Sequence, residues 1–209
     1  MRPYRLLLAC TAIVLATTAV PGTAHATGPD PDTVYIAGIA YGGTGCPNGS
    51  VASSFSNDRT SATLIFDQFV ASTGPGLPVT ERRKNCQINL NLHIPRSLAW
   101  LAAVKVDHRG YVGVPAGITA SRGDVFHSAD LVLGAPATTS YPGPVNKDYL
   151  VRDSYLQAPL SSTLCASETV RPDTINAQVS LDGSGGSGQI TLDSLDLHVA
   201  TTQLLPCPS

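Results

Sequence analysis

The residues that could do chemistry are few and scattered. Removing a leader segment (below) leaves four histidines, His93, His108, His127 and His198. None forms the His-x-His or His-x-x-x-His pattern that places two ring nitrogens on one ion. Read singly among alternating residues, each is expected on a surface or sheet edge. Asp182-Gly183-Ser184-Gly185-Gly186 has the residues of a serine-protease nucleophile loop in the wrong order, with Gly where the acid should precede the serine. No Gly-x-Ser-x-Gly elbow occurs. Glu81 and Glu168 have no visible acidic partner for the paired carboxylates of glycoside hydrolysis. Asp182, Asp193 and Asp196 lack the spacing of a calcium loop. Arg122-Gly123-Asp124 is the tripeptide that integrins read on exposed loops, and is expected in a turn. No catalytic residue, metal site or cofactor is therefore expected. The one surface with some specificity is Gln87, Asn89, Asn91 and His93, spaced two apart, which would line one face of a strand and offer amides to sugar hydroxyls or another chain. Trp100, Tyr111, Tyr141, Tyr149 and Tyr155 are the candidate aromatic platforms.

The elements that must hold these residues read as β-structure. Cys86, Ile88, Leu90, Leu92 and Ile94 alternate with the polar ladder over nine residues, a half-buried strand. Leu98, Trp100, Ala102, Val104 and Val106 form one apolar face and Ala99, Leu101 and Ala103 a second, and Pro95-Arg96-Ser97 predicts a turn pairing this strand with 86–94. Other strands are expected at 34–40, 62–70, 98–107, 111–114, 116–121, 148–156, 176–181 and 189–199, with conspicuous loops at 134–147 and 183–188. Ile190 and Leu192 fall on even numbers while Leu195, Leu197 and Val199 fall on odd ones, so one extra residue is expected near Asp193-Ser194. With 19 Gly and 16 Pro, no segment sustains a helical period. The expected fold is all-β, an antiparallel sandwich of jelly-roll or immunoglobulin-like kind.

Composition sets the compartment. Met1 to Arg5 is short and basic, Leu6 to Val20 is apolar, and Ala24-His25-Ala26 is a signal-peptidase pattern. The expected organisation is a signal peptide at 1–26, a flexible leader at 27–33 and one domain at 34–209. Leu7-Leu8-Ala9-Cys10 resembles a lipoprotein box, but the apolar segment runs past it. Cleavage would remove Arg2 and Arg5 and take the formal charge from −2 to −4, which disfavours nucleic acid as a partner. Cys46, Cys86, Cys165 and Cys207 remain, an even set whose wide spacing argues for disulfides rather than metal. Three connectivities are possible; pairing of chain neighbours, Cys46–Cys86 and Cys165–Cys207, is the expectation.

Gly42-Gly43-Thr44-Gly45-Cys46-Pro47 with Gly49-Ser50-Val51, then Arg83 to Leu90, then Asp107-His108-Arg109-Gly110-Tyr111 resemble, in order and spacing, three blocks of a family of secreted bacterial and fungal proteins. That family is catalogued as domain of unknown function 4360. The resemblance implies an exported, disulfide-bonded β domain and brings no activity. The functional expectation is a secreted, non-catalytic domain binding an extracellular protein, matrix or glycan partner without membrane insertion; the alternative is a hydrolase with dispersed catalytic residues.

Overall fold

The computed structural model describes residues 28–95, 98–128, 131–133, 136–158 and 169–206. The signal peptide expected at 1–26 and the expected Cys165–Cys207 link lie outside these residues. Within them the chain is all-β, in two antiparallel sheets, with one short 3-10 turn at Val79–Arg82.

Five strands form the first sheet in the order β1-β5-β11-β7-β9: β1 (Tyr35–Gly42), β5 (Arg83–Ile94), β11 (Thr169–Gly183), β7 (Ile118–His127) and β9 (Ala137–Pro142). The second runs β2-β3-β13-β6-β10-β8: β2 (Val51–Phe55), β3 (Ser61–Phe66), β13 (Ser194–Pro206), β6 (Leu98–Val114), β10 (Val145–Ala158) and β8 (Leu131–Leu133). A short strand, β12 (Gly188–Thr191), pairs with both β4 (Val70–Thr73) and β6. One core serves both sheets. From the first it takes Ile88, Leu90, Leu92, Ile175, Val179 and Ile118; from the second, Leu64, Val104, Val106, Leu195 and Leu197. These side chains recur at every second position, so each strand turns one row inward and the other outward. Cys46 and Cys86 are joined across 40 residues, pinning the loop after β1 to β5.

The alternation at 86–94 holds, with Cys86, Ile88, Leu90 and Leu92 fully buried. Three other expectations fail. β5 and β6 do not pair, since β5 lies between β1 and β11 in one sheet while β6 lies between β13 and β10 in the other. A short connection serves an arch between layers as well as a hairpin within one, and sequence spacing does not separate the two. The stretches at 98–107 and 111–114 are one strand of 17 residues. The supposed loop at 134–147 contains β9, followed by a cis Gly143–Pro144 bond. The slip near Asp193 is present: Ile190 lies opposite Val112 and Ser194 opposite Arg109, four residues of advance against three on β6.

Candidate functional site

Two groups of polar side chains stand out, one outside and one inside. Outside, Gln87, Asn89 and Asn91 project from β5 away from the core. Gln87 Nε2 donates to Asn89 Oδ1 at 3.2 Å, and Thr174 Oγ1 of β11 donates to the same oxygen at 2.9 Å. The strand register extends this row into a field. Asn85 lies opposite Gln178, Gln87 opposite Asn176, and Asn89 opposite Thr174. Gln178 in turn faces Gly123, which faces Thr138, and Ser180 leads through Ser121 to Ser140. None of these side chains carries a formal charge. His93, expected beside them on the solvent face, is instead 5% exposed. Its ring stacks on Tyr35 at 4.4 Å and its Nε2 donates to the Pro31 carbonyl at 3.0 Å. The ladder thus ends in an aromatic pair that the sequence did not single out. Of the expected platforms, Tyr141, Tyr149 and Tyr155 are buried, and Tyr111 is half-buried with its hydroxyl donating to Asn146 at 3.1 Å.

Inside lies a charged cluster drawn from three strands: His108 of β6, Arg122 and Asp124 of β7, and Asp153 and Tyr155 of β10. His108, Arg122 and Asp124 are 1–2% exposed. Two expectations are overturned here. His108 is not a surface histidine, and Arg122-Gly123-Asp124 is not a turn but the middle of β7 with both charges pointing inward. Arg122 donates to Asp124 at 2.5 Å through one nitrogen and to Asp153 through the other, while the Tyr155 hydroxyl donates to Asp124. His108 Nε2 lies 3.5 Å from Asp124 Oδ2 and 3.4 Å from Asp153 Oδ2.

Burial pushes the Asp124 carboxyl up, but His108, Tyr155 and Arg122 together outweigh it and hold the group below its ordinary value. For Asp153 burial wins over the Arg122 attraction, with the Asp124 charge adding to it, and the carboxyl is raised. Burial, then the hydrogen bond to Asp124, lifts the Tyr155 phenol far above its usual range. The cluster was legible in principle. His108 shares the parity of Val104, Val106 and Val112; Arg122 and Asp124 share that of Ile118, Ala120 and Phe126. Period two points all three inward.

The chain belongs to the family described as Domain of unknown function (DUF4360), which matches residues 32–207. It is 36% identical over 178 residues to an uncharacterized secreted protein of the fungus Arthroderma benhamiae, covering 84% of this chain and 71% of that relative. The protein is a secreted member of that family. No helix among the described residues is long and apolar enough to cross a membrane. Among solved structures it is similar to the module TmCBM61 in complex with β-1,4-galactotriose, with a TM-score of 0.29, 8% identity, and 78% of this chain and 90% of that one covered. It is also similar to the enzymatically active domain of bacteriophage CBA120 tailspike protein 4, at a TM-score of 0.26 and 12% identity over 84% of this chain and 20% of that one. Likenesses this slight carry no functional argument.

Proposed function

We propose that the protein is a non-catalytic β-sandwich domain, of the jelly-roll or immunoglobulin-like kind, that binds an uncharged polysaccharide outside the cell through the outer face of its five-stranded sheet. The observation that carries this reading is the field of amides and hydroxyls around Gln87, Asn89, Asn91, Thr174, Asn176 and Gln178, ended by the Tyr35–His93 pair. Short amides offer both donors and acceptors to sugar hydroxyls, and a neutral face fits a neutral polymer. The hydrolase alternative draws less support, because the surface carboxylates that converge, Asp107 and Asp196, are taken up by Arg109 and Arg152, and the other convergent set is in the core. The domain spans residues 34–209, follows a cleaved signal at 1–26, and carries Cys165–Cys207 as its second disulfide.

Co-sedimentation of the mature protein with insoluble cellulose, chitin and β-1,3-glucan tests the reading. Capture by at least one polymer is expected, and the Asn89→Ser/Asn91→Ser variant should lose about tenfold of it with an unchanged melting temperature. No capture by any of the three, or capture indifferent to those substitutions, would sink it.

A further inference from the structure

We propose that His108, Asp124 and Asp153 form an internal site for a first-row divalent cation such as zinc or manganese. The three ligand atoms belong to three strands, and all lie within 4.8 Å of one another. The separations of 3.5 and 3.4 Å from His108 Nε2 to the two carboxylate oxygens are those of neighbouring ligands around one ion with bonds of about 2.0–2.2 Å. His108 Nε2 is itself buried and makes no hydrogen bond, although it is aimed between the two carboxylates. A ring nitrogen at that distance from two carboxylates is held either as an imidazolium paired with them or as a ligand to an ion they share, and we assign the second.

Charge points the same way. Arg122 brings one positive charge to two carboxylates in the core, and with His108 acting as a neutral ligand the second charge is met by the bound cation. The other contacts suit an outer shell. Arg122 holds Oδ1 of Asp124 and one side of Asp153 Oδ2, and the Tyr155 hydroxyl holds one side of Asp124 Oδ2. Each Oδ2 keeps a lone pair for the ion, and its carboxylate is oriented by a fixed donor. One imidazole with two carboxylates is a mixed nitrogen–oxygen set, which suits zinc or manganese better than calcium. The Asp153 side chain, 14% exposed, marks the way in.

The mature disulfide-bonded protein, dialysed into metal-free buffer, is assayed for metal content and then titrated with zinc, manganese and cobalt(II). About one equivalent should bind, cobalt should give the visible absorption of a protein-ligated ion, and EDTA should lower the melting temperature by several degrees, reversed by zinc. His108→Gln should abolish binding and EDTA sensitivity together. If that variant does not fold, the cobalt spectrum and the EDTA response of the wild type still decide. A protein that binds no cation and melts at the same temperature with EDTA or zinc overturns the proposal, and so does binding that survives in both His108→Gln and Asp153→Asn.

Discussion

Arg122 is 2% exposed and reaches two carboxylates, so its removal has a cost that its hydrogen-bond count alone understates. Arg122→Met should lower the unfolding free energy by about 3–5 kcal/mol, because it strips the shared guanidinium from two buried carboxylates. Urea denaturation measures this, and a loss below about 1 kcal/mol would mean the carboxylates find other partners. The tyrosines set the alkaline limit. Tyr141, Tyr149 and Tyr155 all hold their protons above the ordinary phenol range, burial being the largest cause in each. In the unfolded chain they ionise near about pH 10. Stability from these groups is therefore complete below that value and is lost as pH rises through it, since only the unfolded state releases protons there. Urea midpoints should fall steeply above about pH 10, and Tyr149→Phe with Tyr155→Phe should flatten the slope. Asp124 and Asp153 act at the other end and oppose each other. The lowered Asp124 contributes stability above the ordinary carboxylate range that acid removes, while the raised Asp153 contributes in the opposite sense.

β5 separates what the strand pattern discloses from what it does not. Leu90→Ala should cost about 2–5 kcal/mol by opening a cavity between the sheets, whereas Asn89→Ser/Asn91→Ser should stay within about 0.5 kcal/mol per site. That contrast follows from alternation alone, and the sequence showed it because one row is wholly apolar and the other wholly polar. Alternation also locates the extra residue near Asp193. There Gly110 of β6 faces the slip: a methyl group at that position would meet the Thr191 carbonyl oxygen at 2.2 Å and the Tyr149 hydroxyl at 2.7 Å. What spacing could not disclose is the partner of each strand. Pro95-Arg96-Ser97 reads equally as a hairpin and as a crossing between sheets, and β2 and β9 are too rich in Ser and Thr to show an apolar row. The inward charges are hidden for a different reason: at His108, Arg122 and Asp124 residue type points to solvent while parity points to the core. Linking β5 to the loop after β1, the Cys46–Cys86 bond closes a segment of 40 residues. Replacing both cysteines by Ser should cost about 4 kcal/mol in the chain-entropy account of unfolded-state restriction.

Across the whole molecule the two outer faces differ in kind. The eight-stranded sheet shows solvent a lattice of ions. Arg109 pairs with Asp196 and approaches Asp107 at 4.0 Å, while Arg152 meets Asp107 at 3.1 Å, with Lys105 exposed beside them. Opposite ion pairs on neighbouring strands keep that face soluble and add little stability. The five-stranded sheet instead shows amides and hydroxyls over much of β5, β11, β7 and β9, with Arg83 and Asp182 only toward one end. A face whose charges are confined to one end leaves a neutral surface available for contact over the rest. Salt distinguishes the two. Interactions between exposed charges are largely screened beyond about 3 Å at 1 M ionic strength, while hydrogen bonds between neutral groups are not. Polysaccharide capture by the five-stranded face should therefore be nearly unchanged between low salt and about 1 M sodium chloride. Co-sedimentation across a salt series measures it. Capture that collapses with salt would move the contact to Lys105, Arg109 and Arg152, and Arg152→Ala should then weaken it while Asn89→Ser leaves it intact.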